Sequence, residues 1–161
     1  MSRPEPLEEQ ILAAMALRLE RGWSGLSPWY VPRFVGRTYK PLDAVNEFPG
    51  YLVLLASEES GTEPQTIDAP GATMLATLGV EVMAYGAGGD AEPTDRVLVR
   101  LLAQAEEALL QKDLLGPDSD AYVDVENTRR VLDHETEVGA PYRSLRSHLY
   151  RVRFLYTRGE P

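Results

Sequence analysis

The chain has no cysteine at all, and of its 16 basic residues only Lys40 and Lys112 are lysine. Without cysteine there is no disulfide framework, no thiolate metal site and no Cys nucleophile. Excess positive charge is missing too. A net charge of -9 over 161 residues argues against a general nucleic-acid binder, because phosphate binding draws its affinity from Lys and Arg. No apolar run approaches the roughly 18 residues of a membrane span, and the opening "MSRPEPLEEQ" has no continuous apolar stretch of the kind a secretory signal needs. Together these absences predict a soluble chain made in a cytoplasm. The length and an ordinary balance of 43% hydrophobic and 25% charged residues predict one domain, 1–161, with a real core.

What is present is unevenly placed. Residues 128–158 hold seven Arg against three acids, Asp133, Glu135 and Glu137, so the rest of the chain is more acidic than the total suggests. Opposite-signed regions on one subunit favour self-association or docking to a complementary partner. A mixed solvated surface has the same composition.

Leu7, Ile11, Met15 and Leu19 fall four apart, which predicts an amphipathic helix over about 5–21 closed by Gly22. "WSGLSPWYVPRFVGRTYKPLD" has too much Gly and Pro for a helix; Trp23, Trp29, Tyr30 and Phe34 make it an aromatic loop expected to pack on the core. "YLVLLAS" (51–57) is apolar on both alternating faces, as in a strand covered on both sides. "EESGTEPQTIDAPGA" lacks periodicity and reads as a long loop, 58–72. Residues 73–85 resume as a strand, and Val97, Leu98, Leu101, Leu102, Ala105, Ala108 and Leu109 form the stripe of a second helix, about 94–112. "AYVDVEN" alternates as a half-exposed strand. In the last strand Tyr150, Val152, Phe154 and Tyr156 share one face, and Arg151 and Arg153 the other. The order predicts an α+β domain: a mainly antiparallel, or mixed, sheet of about four strands with both helices packed on it.

Three candidate sites stand out. Gly86, Gly88 and Ala91 satisfy the G-x-G-x-x-G/A pattern of dinucleotide folds. The helix there cannot easily start before Pro93, and Asp90, Glu92 and Asp95 crowd the place of an anion. The reading is therefore a strand-to-helix connection whose glycines permit positive φ. "LDHETEV" (132–138) has acids and a His; if extended, it sets Asp133, Glu135 and Glu137 on one side and His134 on the other, a weak hard-cation face at most. His134 and His148 are too few for zinc, and Ser24, Ser27, Ser57 and Ser60 lie in no nucleophile setting. Neither a catalytic constellation nor a cofactor or metal site is expected. The third candidate is Arg143, Arg146, Arg151, Arg153 and Arg158 on and around the last strand. They are either ordinary surface charge or an intersubunit salt-bridge surface.

The whole order resembles the tail terminator (tail completion) proteins of long-tailed bacteriophages. The resemblance rests on the first helix, "RTYKPLDAVNEFPGYLVLLAS", "LGVEVMAYGAGGD" with the helix "LVRLLAQAEEALL", and the closing "AYVDVENTRRVLDHE" and "HLYRVRFLYTR". It covers about 7–157 and rests on element order and periodicity, not on a chemical signature. It implies a non-enzymatic virion protein. Copies form a ring, commonly of six, that caps the tail tube, stops its polymerisation and offers a surface for head–tail joining. The implied partners are the chain itself, the tube protein and a head–tail connector or neck protein, with DNA only passing through the lumen and no membrane. Assembly takes place in the host cytoplasm, and the finished site is the virion tail or neck. On this resemblance the expected subunit or tube contacts are Arg143, Arg146, Arg151 and Arg153 with Glu58, Glu59, Glu63, Asp68 and Asp90, while loop 58–72 or 86–93 orders on the tube. The alternatives are another neck or head-completion protein and a small carboxylate enzyme using the cleft beside 86–93.

Overall fold

Two long antiparallel hairpins, joined edge to edge, form the body of the protein. The computed structural model describes residues 3–22, 27–56, 60–64, 73–110, 113–116, 121–123, 129–137 and 142–157; of 62–64, 73–74, 129–137 and 156–157 it describes the backbone alone. The elements in chain order are α1 (Leu7–Arg21), β1 (Phe34–Gly36), a 3-10 turn (Leu42–Ala44), β2 (Gly50–Leu55), β3 (Gly61–Pro64), β4 (Thr73–Gly88), α2 (Thr94–Leu109), β5 (Tyr122–Val123), β6 (Arg129–Glu137) and β7 (Tyr142–Thr157). The central pair is β4 against β7, antiparallel from Thr73 opposite Thr157 to Gly88 opposite Tyr142. β2 and β3 line the other edge of β4, and β5 and β6 the other edge of β7. β1 joins β2 in parallel, so the sheet is mixed. The α+β class expected from sequence is thus the observed one.

Each hairpin has a register break. In the first it falls between Leu55, opposite Val80, and Gly61, opposite Thr77. Ser60 stands in for a missing ladder partner there: its Oγ accepts from the Gly79 N–H at 3.0 Å and donates to the Ala56 carbonyl at 3.0 Å. In the second the register slips between Val131 and His134. Such breaks bend a long strand and raise its twist.

Period-2 alternation gives this sheet two different faces. On one, Tyr51, Val53, Val80, Val82, Tyr150, Val152 and Phe154 meet the stripes of α1 (Ile11, Leu12, Met15, Leu19) and α2 (Val97, Leu98, Leu101, Ala105, Leu109), all buried. Each such large side chain contributes about 1.5–3 kcal/mol by leaving water. The Tyr51 hydroxyl reaches through this layer to the Leu101 carbonyl. Gln104, a polar residue within the α2 stripe, is satisfied by the loop before β1: it accepts from the Tyr30 N–H and donates to the Tyr30 carbonyl. On the other face, Leu52, Met83, Tyr85 and Leu145 form a smaller cluster under Leu42 and Val45, with Phe34, Phe48 and Leu54 at its margin. Among the described residues this cover spans one end of the sheet.

Several expectations shift. The 58–72 segment contains β3, whose "GTEP" is too short and polar to alternate. The strand expected over 73–85 runs to Gly88, and α2 ends at Leu109. β1 and β6 are additional strands; β6 includes part of "LDHETEV", which is extended there, with the register shift at its start. Trp29, expected to pack on the core, is half exposed, with the Arg100 guanidinium 5.8 Å from its ring centroid. Trp23 lies outside the described residues. No described helix is long and apolar enough to cross a membrane.

Candidate assembly surface

β7 carries the arginines, and its alternation decides what each one meets. Tyr150, Val152 and Phe154 point under the helices, so Arg151 and Arg153 project from the opposite face, as the sequence pattern requires. Arg151 lies opposite Gly79; Arg153 lies between Thr77 on β4 and Tyr122 on β5. Both arginines are partly buried and engaged with neighbouring groups. Leu155, the next residue on this face, is 44% exposed, and Tyr122 is 53% exposed. The small cluster around Leu42 and Val45 does not extend here. The result is a strip of sheet that mixes arginine, an aromatic ring and an aliphatic side chain, a composition suited to protein contact.

The other two arginines lie elsewhere. Arg143 shares the face of Arg151 but sits eight residues away, about 26 Å along an extended strand. Its Nη1 donates to the Val45 carbonyl at 3.5 Å, and its guanidinium lies 5.9 Å from the Phe48 ring centroid. Arg146 has the opposite parity and emerges on the helix face. The same period of two contained this split, which the sequence reading left undrawn. Arg158 lies outside the described residues, as do Glu58, Glu59 and Asp68. Glu63 is placed by its backbone on β3, opposite Leu75. Asp90 is exposed in the turn after β4, at the sheet end away from Arg153.

Arg146 opens into a cleft of about 460 Å³ where the start of α2 faces the start of β7. Pro93, Thr94 and Leu98 form one side; Tyr142, Ser144 and Arg146 form the other. Thr94 Oγ1 links the two sides by donating to the Tyr142 carbonyl at 3.2 Å. Asp95 also lines the cleft but is exposed. Among the described residues Arg146 has no ion-pair or hydrogen-bond partner. Sequence reasoning considered a cleft beside 86–93 but grouped Arg146 with its neighbours on β7; the arginine lines that cleft only because α2 returns across the sheet.

The glycines beside this cleft need a different explanation from the expected one. None of Gly86, Gly88 and Gly89 has positive φ; among the described glycines only Gly22 and Gly116 do. Gly86 and Gly88 are strand residues whose missing side chains let α2 approach. A Cβ on Gly86 would sit 3.1 Å from Leu98 and Val97 atoms, and one on Gly88 would collide with Thr94 and the Glu92 carbonyl. Glu92 is not poised around an anion either. It takes the Tyr30 hydroxyl and an Arg100 Nη1 at 3.3 Å, tying the connection to the loop before β1. Burial, reinforced by that carboxylate, raises the Tyr30 pKa.

Of the four serines considered, Ser60 has a structural task in the β2–β3 break, Ser27 is exposed, and Ser24 and Ser57 lie outside the described residues. The side chains of "LDHETEV" lie outside them too; the register sets His134 opposite Arg146, Glu135 opposite Leu145 and Glu137 opposite Arg143. His148 is buried beneath α2 with Nδ1 3.5 Å from Glu106 Oε1. Among the described residues no group of three or more His, Asp or Glu side chains is placed to hold a metal ion.

Compared with known proteins, the chain matches no family model and no curated protein sequence. The geometry and the order of elements therefore carry the functional argument.

Proposed function

We propose that this chain is a structural assembly protein of the tail-terminator type. Copies close into a ring that caps a phage tail tube, stops its growth and presents a surface for joining the head. The observation that carries the reading is the unevenly covered sheet: α1 and α2 pack on one face, while on the other the described residues cover the Leu42–Val45 end and leave Tyr122 and Leu155 exposed beside the partly buried Arg151 and Arg153. A monomer gains nothing from an open strip of this kind, whereas a ring needs unlike surfaces that meet head to tail. The acidic balance of the remaining chain supplies the charge that arginine would meet. On this reading the protein is no enzyme and takes no cofactor, and its partners are itself, the tube protein and a neck component.

Negative-stain electron microscopy of the purified protein, alone and mixed with tail tubes, tests the reading. Rings seated on one tube end support it. Capture by portal complexes in place of tubes would instead make it a head-completion protein of the neck.

A further inference from the structure

A head-to-tail ring needs a second surface to meet the arginine strip, and the strip's place in the sheet narrows where that surface lies. The strip sits at the β7–β5 margin, on the face away from the helices. α2 packs on β4 and β7, directly behind it. α1 packs on β1 and β2, at the opposite margin and on the opposite face. Repeating a contact between the strip and α2 would stack copies along the sheet normal into a column. A contact with α1 carries each copy sideways past the last, as ring closure requires.

The outward side of α1 has the complementary chemistry. Two contacts fix how this helix is turned. Arg18 Nη2 donates to the Asp113 carbonyl at 2.8 Å, just beyond α2, so that side faces α2. Glu9 takes both terminal nitrogens of Arg37, just after β1, at 2.9 and 3.0 Å, so that side faces the β1 margin. Ala13, Leu17 and Glu20 follow Glu9 at helical spacing along the same side. All three are exposed, Leu17 by 43%. Arg21 is turned about 100° away from Glu20, toward the α2 side. Among the described residues Glu20 has no ion-pair or hydrogen-bond partner. An aliphatic side chain beside a free carboxylate matches a strip made of Leu155, the Tyr122 ring and two guanidiniums. Arg151 and Arg153 already engage neighbouring groups, but each guanidinium carries five N–H donors, so those contacts do not exclude a carboxylate from a second copy.

We infer that the stripe of Ala13, Leu17 and Glu20 on α1 of one copy docks on the β7–β5 strip of the next, with the Glu20 carboxylate accepting from Arg153 and Leu17 packed against Leu155 and Tyr122. This rests on the ring reading and specifies its subunit contact.

The chain has no native cysteine, so directed crosslinking is clean. Leu17→Cys and Leu155→Cys proteins, mixed and treated with a short bismaleimide, are expected to give a linked dimer containing one of each. Val99, exposed on α2, supplies the control: Val99→Cys mixed with Leu155→Cys should give none. As a second measure, Glu20→Arg and Arg153→Glu should each weaken assembly by on the order of tenfold or more, and both changes in one chain should restore it. Intact wild-type rings with no selective crosslink from Leu17→Cys and no rescue overturn this contact while leaving the ring reading standing. A wild-type protein that stays monomeric at every concentration removes the ring reading itself.

Discussion

The phenol of Tyr51 donates a 2.7 Å hydrogen bond to the main-chain carbonyl of Leu101, fastening β2 to the middle of α2 across the buried face. Both residues are 0% exposed. Tyr51→Phe keeps the packing and deletes the bond, so a loss of about 0.5–1.5 kcal/mol is expected in urea unfolding. An unchanged midpoint would show that this bond does not help hold the helix.

The same residue gives the fold an alkaline limit. Burial pushes the Tyr51 pKa well up in the folded state. The neutral phenol is therefore favoured by folding, and its contribution is fully present below the unfolded value of about 10. As pH rises above that value the unfolded chain ionises first, so stability falls. Wild-type stability should fall as pH rises above about 10, more steeply than that of Tyr51→Phe. Parallel profiles would place the alkaline sensitivity elsewhere.

Gly88 and Gly89 separate two explanations of the glycine-rich turn. If the requirement is close approach of β4 to α2, Gly88→Ala must displace the Thr94 backbone and should cost about 1–3 kcal/mol. Gly89→Ala meets nothing within 4 Å and should change stability by less than about 0.5 kcal/mol. Thermal unfolding of the two variants checks this; equal effects would contradict the packing explanation.

Arg151 and Arg153 lie in the strip beside the exposed Tyr122 and Leu155, so on the proposed ring reading reversing both to Glu should abolish rings in native mass spectrometry while leaving the circular dichroism spectrum unchanged. Rings that persist would remove both residues from the subunit contact.

Sequence legibility followed the range of the interactions. α1 and α2 were readable because their buried stripes repeat every three to four residues, and the opposed faces of β7 because Val152 and Arg153 alternate. β3 was not, since "GTEP" has no apolar face of its own and is held by pairing with β4. The Ser60 hydroxyl that bridges the register break left no local signal, because Gly79, its partner, is brought to it by the pairing of β2 and β3 with β4. Gly86 and Gly88 were visible as glycines, but the helix that requires them small comes back across the strand only in three dimensions. The Arg146 cleft has the same origin.

The most direct test of the central claim is native mass spectrometry of the wild-type protein over a wide concentration range. The account expects one closed assembly of fixed stoichiometry, six copies on the resemblance to tail terminators, formed without any added ligand. A monomer throughout, with no assembly at any concentration, would contradict it.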